Sequence, residues 1–200
     1  MSISPHIGLQ TVSWVLDGQV RHRDSLGSDL VIGPGDLGLM TAGEGIAHSE
    51  YSPSAHGPRL HGAQLWVALP DAERAIPARF EHHVGLPVLQ SGGARATVLL
   101  GDVGGARSPG RTHSPLVGMD VTLDGDARLP LEPDFEHAVL AVEGVPEVDG
   151  GPLAPGSLGY LGCGRSDLRL GGSGAVPGTA AALPAPELPP LPLKPRGRVR

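Results

Sequence analysis

The stretch Ile32-Gly33-Pro34-Gly35-Asp36-Leu37-Gly38-Leu39-Met40 decides how the chain is read. A Gly-Pro-Gly-Asp turn separates two short apolar runs, which is how a strand ends and its neighbour begins. The pattern returns 121 residues later as Leu153-Ala154-Pro155-Gly156-Ser157-Leu158-Gly159-Tyr160-Leu161. A second pair, Val15-Leu16-Asp17-Gly18-Gln19-Val20 and Ala141-Val142-Glu143-Gly144-Val145-Pro146, repeats at an offset of 126. Two copies of one small β-barrel unit follow from such a repeat.

Around the first turn, strands are expected at 10–16, 19–23, 30–32, 37–41, 46–51 and 60–69, with Asp17-Gly18 as a hairpin turn. Short strands at this spacing, without a helical period, indicate an all-β sandwich or barrel. Residues 70–95 break the pattern. One helical turn at Asp71–Ala75 and a lone strand at 78–83 suit a linker, and strands resume at 96–100 and 116–123. The expected organisation is an N-terminal domain over 1–70, a linker over 71–95, a C-terminal domain over 96–170 and a disordered Pro/Gly-rich tail over 171–200.

Composition narrows the function. A net charge of −6 with nine His argues against a direct nucleic-acid binder, which would carry a basic face. Glycine (31) and proline (21) are abundant, and many stand between apolar runs, as turns require. Cys163 alone allows no internal disulfide, sits among glycines and reads as a small packing residue. No signal peptide and no apolar run of membrane-spanning length is visible, so a cytoplasmic location without membrane contact is expected.

Two stretches carry candidate chemistry: Ser4-Pro5-His6 and Ala47-His48-Ser49-Glu50. Alternate strand residues share a face, so His48 and Glu50 point one way, as do Ser4 and His6. If the two strands lie side by side, His6, His48 and Glu50 converge. Two imidazoles and a carboxylate suit a divalent transition metal with open positions, Fe(II) above all, with Mn, Ni, Zn or Cu as alternatives. The plainer reading keeps His48 and Glu50 as a hydrogen-bonded pair on one strand. His22, His61 and Gln64 rank second. His22 reads as hydrogen-bonded structure, and His61 and Gln64, three apart, fall on opposite faces. His82-His83 points both ways and reads as surface. The glycines at 33, 35, 43 and 45 lack the following Lys-Ser/Thr of a phosphate loop. The second half has no His-x-His or His-x-Glu at matching places and reads as a metal-free copy.

Gly8-Leu9-Gln10-Thr11-Val12-Ser13-Trp14-Val15-Leu16-Asp17-Gly18, His22-Arg23-Asp24-Ser25-Leu26-Gly27, Met40-Thr41-Ala42-Gly43-Glu44-Gly45-Ile46-Ala47-His48-Ser49-Glu50 and Leu60-His61-Gly62-Ala63-Gln64-Leu65-Trp66-Val67-Ala68-Leu69-Pro70 occur in this order. The run closely resembles the pirins, two-domain members of the cupin superfamily, densely from Pro5 to Pro70 and more loosely to Leu170. The resemblance implies two tandem cupin-type, jelly-roll-like β-barrels. It also implies one iron bound through His-x-His and His-x-Glu, hence metal roles for His6, His48 and Glu50. The family's remaining ligand, the first His of its His-Pro-His triplet, falls on Ser4. A segment precedes that triplet in pirins, so the N-terminal barrel is expected to lack its first strands, with coding sequence upstream of Met1. Some pirins look like flavonol (quercetin) 2,3-dioxygenases, which implies a flavonol and O2 as substrates, with Glu50 as ligand or base. Others look like transcriptional cofactors or partners of metabolic enzymes, which implies a non-catalytic, metal- or redox-responsive interaction protein instead. A truncated relative without function is a third reading.

Overall fold

In a computed structural model of the chain, which describes residues 3–53 and 59–172, apolar runs bounded by turns become strands. The first eight are β1 (Ser4–His6), β2 (Leu9–Asp17), β3 (Val20–Asp24), β4 (Asp29–Ile32), β5 (Leu37–Thr41), β6 (Ile46–Tyr51), β7 (His61–Ala68) and β8 (Arg79–His83). Then follow β9 (Val88–Ser91), β10 (Ala94–Leu100), β11 (Asp102–Val103), β12 (Ala106–Arg107), β13 (Gly118–Leu123) and β14 (Ala127–Pro130). The last five are β15 (His137–Leu140), β16 (Glu147–Val148), β17 (Gly151–Pro152), β18 (Leu158–Gly162) and β19 (Asp167–Gly171). Helix is confined, among the described residues, to a 3-10 turn at Asp71–Glu73, where one helical turn is expected. No helix among them is long and apolar enough to cross a membrane.

The N-terminal strands form two four-stranded sheets, β1-β6-β3-β4 and β7-β2-β5-β8. In the C-terminal half, β14-β19-β16-β17 reproduces the order of the first, and β15 pairs with β18 as β2 pairs with β5. The ladders correspond residue by residue. Ala127 lies opposite Leu170 and Leu129 opposite Leu168, where the first half sets Ser4 opposite His48 and His6 opposite Ile46. The duplicated unit is therefore real at the level of strand register. At the positions of Ser4, His6 and His48, the second copy has only aliphatic side chains, which have no ligand atom.

Three local expectations are corrected. Asp17-Gly18 does not close a hairpin: β2 is already bonded on both edges, to β5 and β7, so the chain crosses to the other sheet and β3 pairs with β4 and β6. The turn is held tightly, with Gly18 at φ 85° and a Cβ there falling 2.3 Å from the Arg59 carbonyl oxygen. The 78–83 strand is not alone, because β8 adds to β5 at the edge of the N-terminal sheet. Further along the expected linker, β9 adds to β10, so the segment 71–95 supplies a strand to each half. The expectation of a disordered tail falls, beyond residue 172, outside the described residues.

The two interiors differ in chemistry. The C-terminal core centres on Val98, Met119, Val121, Leu129, Val139, Leu168 and Leu170, with Thr97, Ser108 and His137 as the buried polar residues of that half. The N-terminal half buries Gln10, Thr11, Ser13, His22, Thr41 and His48 alongside its apolar residues. Between the halves, Val12, Trp14, Leu37 and Leu39 pack with Leu86, Leu99, Leu100 and Leu116. Trp14 Nε1 donates to Asp120 Oδ2 at 3.0 Å across the same junction. Removing that much aliphatic surface from water stabilises each contact by about 25 cal/mol per Å2, which ties the barrels to one another.

Candidate metal centre

Strand β6 carries Ile46, His48 and Glu50 on one face. On one side β1 sets Ser4 opposite His48; on the other β3 sets His22 opposite Glu50 and Asp24 opposite His48. The facing sheet supplies Ser13 and Gln64, themselves opposite one another on β2 and β7. Gln64 Nε2 donates to Glu50 Oε2 at 2.7 Å and Ser13 Oγ donates to Glu50 Oε1 at 3.3 Å. Both carboxylate oxygens are thus held from across the barrel.

His22 is fully buried and stacks on Phe80, with ring centroids 3.9 Å apart and planes at 16°. Its Nε2 lies 3.1 Å from Asp24 Oδ2. Asp24 is in turn fixed by the Leu26 and Ser28 backbone N–H groups, which donate to Oδ1 at 2.9 and 3.0 Å. Burial works against ionisation of Asp24, but the bonds from His22, Ser28 and Leu26 outweigh it and hold the carboxyl below its usual range. An ionised Asp24 accepts the Nε2 proton, which leaves a lone pair on His22 Nδ1. This is the carboxylate–histidine arrangement that orients metal ligands.

His22 Nδ1 and His48 Nδ1 stand 3.6 and 3.9 Å from Glu50 Oε1, and both are buried without a hydrogen-bond partner. Burial, reinforced by His22 and His6, lowers the His48 pKa against the opposing pull of Glu50 and Asp24, so its imidazole stays neutral. Burial alone would raise Glu50; His22, Gln64 and His48 together lower it, and it stays ionised. Ligand atoms of His22, His48 and Glu50 all lie within 4.8 Å of one another. A buried polar atom without a partner costs about 1–3 kcal/mol. Two such nitrogens aimed beside a carboxylate fit a cation, and the donor set of two imidazoles and one carboxylate suits a transition metal.

Of the residues singled out in the sequence, His48 and Glu50 share this cluster. His6 stands at its rim, its ring 4.9 Å from that of His48 and 5.2 Å from Trp66, outside the three-residue group. His22, set aside as structural, is both hydrogen-bonded structure and a member of the group. The signal for it, His22-x-Asp24 on one strand face, is present in the sequence, but its neighbour Glu50 is 28 residues away and reaches it only through the β3–β6 ladder. Gln64 reaches the site while His61 leaves it, pairing with Glu143 of the second half at 3.0 Å. His82 and His83 pair with different carboxylates, Asp36 at 3.2 Å and Glu81 at 3.1 Å. Cys163 is exposed rather than packed, and stands between Gly162 and Gly164, at φ 70° and 85°.

The Pirin family model matches residues 1–67. A Pseudomonas aeruginosa protein provisionally named quercetin 2,3-dioxygenase is 47% identical over 169 residues, 83% of this chain and 53% of that protein. A pirin-like protein of Caulobacter vibrioides is 38% identical over 81% of this chain and 58% of its own length. The crystal structure of a quercetin 2,3-dioxygenase from Acinetobacter baumannii superposes with a TM-score of 0.84 at 39% identity, covering 92% of this chain and 61% of that one. The chain spans little more than half the length of these two curated relatives. Its two tandem barrels are of the cupin type. With its first third matching the family model and relatives aligning over four fifths of its length, the chain belongs to the pirin family.

Proposed function

We propose that the N-terminal barrel holds one Fe(II)-type ion through His48 and Glu50, with His6 from the rim and His22 from beneath, and oxidises a flavonol with O2. The C-terminal barrel takes no metal in this reading. One observation carries it: two buried imidazoles, His22 and His48, present unpartnered nitrogens beside the Glu50 carboxylate, which stays ionised. Relatives in Pseudomonas aeruginosa and Acinetobacter baumannii whose names give quercetin 2,3-dioxygenase support the substrate class. An ion so held supplies open positions for O2 and for the hydroxy-ketone edge of the substrate.

The protein's own groups do the remainder. Gln64 and Ser13 hold the Glu50 carboxylate so that one oxygen faces the histidines, where it can accept the proton of the flavonol hydroxyl. Phe80 stacks on the buried His22 ring and holds that imidazole in one orientation.

The test is metal content together with quercetin-dependent O2 uptake, for the purified chain and for His48→Ala. Near-stoichiometric metal and turnover in the first, with loss of both in the second, are expected. Metal without turnover would leave the non-catalytic binding reading. Equal metal in both proteins would refute the site.

A further inference from the structure

A cavity of about 700 Å3 lies away from the histidine cluster, in the C-terminal half, between the 101–117 segment and the turn before β15. That volume is within the range of small-molecule sites, about 300–1,000 Å3. Its walls are built rather than loose. Ser108 Oγ donates to the Leu99 carbonyl at 2.6 Å and accepts from Gly110 N–H at 3.1 Å, while Ser108 N–H reaches the Gly101 carbonyl at 2.9 Å. Gly101 sits at φ 76° with its missing Cβ 1.9 Å from the Leu116 carbonyl oxygen, so the two ends of the segment touch backbone to backbone.

The lining is amphipathic. Val117, Met119 and Phe135 form an apolar side, and His137, 3% exposed, stands among them. His137 Nε2 is 2.9 Å from the Glu132 carbonyl oxygen. A carbonyl only accepts, so Nε2 carries the proton and Nδ1 is left as an acceptor. At the rim, Arg107 and Arg111 are exposed, and neither guanidinium has an ion-pair or hydrogen-bond partner among the described residues. The Arg111 backbone is tied at both ends, its N–H to Glu81 Oε2 at 3.3 Å and its carbonyl to Gln10 Nε2 at 3.0 Å. Asp102, opposite Arg107 in the β11–β12 ladder, and Glu132 also line the rim. The two unpartnered guanidinia offer charge-assisted bonds to one carboxylate, while Asp102 and Glu132 on the same lining repel any second negative charge.

We propose that this cavity binds a hydroxylated aryl monocarboxylate. The carboxylate sits at Arg107 and Arg111, the ring lies against Val117, Met119 and Phe135, and the hydroxyl donates to His137 Nδ1. The site is independent of the metal centre. Calorimetric titration with 4-hydroxycinnamate tests it, with 4-hydroxycinnamamide as the uncharged analogue. One-to-one binding is expected, weakened about tenfold or more for the amide and for Arg107→Ala or Arg111→Ala, because each removes a charge-assisted bond. Both arginines are exposed, so these variants should melt as the parent does. Binding should persist in His48→Ala and after chelation. No binding, equal affinity for acid and amide, indifference to both arginine changes, or loss on chelation would each overturn the proposal.

Discussion

Asp24→Asn tests the centre through a single proton. In the parent, Asp24 Oδ1 accepts from the Leu26 and Ser28 N–H groups and Oδ2 accepts from His22 Nε2. An asparagine keeps its carbonyl oxygen toward the two backbone donors and turns its amide N–H2 to His22. Two donors then meet, so His22 must shift its proton to Nδ1, where Glu50 Oε1 at 3.6 Å can accept it. The lone pair that faced the cluster is gone. Loss of such a carboxylate partner weakens metal binding about 10–100-fold, or about 1.4–2.7 kcal/mol. The backbone bonds of the turn survive, so the variant should remain folded. The assay is an anaerobic competition titration with Fe(II), alongside imidazole 15N shifts that report which nitrogen carries the proton. Affinity within twofold of the parent, with the tautomer shifted, would refute His22 as part of the site.

Other outcomes follow from the same geometry. Ser4 lies opposite His48 on the ligand face, so Ser4→His should raise metal affinity, read in the same titration, whereas an unchanged value would place residue 4 outside the site. Asp29, held to about 2 chiefly by its hydrogen bonds to Arg21 and Arg23, has a folded pKa below its ordinary 3.8. Its contribution to stability is therefore present above that ordinary value and lost as the pH falls toward 2; the thermal midpoint of the parent should drop more steeply over this window than that of Asp29→Asn. Gly101→Ala places a Cβ 1.9 Å from a backbone oxygen at φ 76° and should cost at least about 1–3 kcal/mol in urea unfolding. A smaller loss would show that the 101–117 segment can move apart.

Much of the fold is legible without coordinates because a strand announces itself locally. Apolar runs between Gly-Pro turns, and their recurrence 121 residues apart, are enough for two β units, and alternation alone aligns His48 with Glu50. Pairing is not local. Asp17-Gly18 has the composition of a hairpin turn, yet both edges of β2 are taken by strands from elsewhere, and the chain crosses instead. Residues 79–83 look solitary because their partner, β5, lies some 40 residues back. The site divides in the same way. The ligand types at 6, 48 and 50 are a property of the sequence. Whether His6 or His22 stands nearer to Glu50 depends on register, and a ladder that places His22 beside Glu50 and stacks Phe80 behind it is set by tertiary packing. Burial then completes the chemistry, because only a nitrogen removed from water and left without a partner gains from a cation.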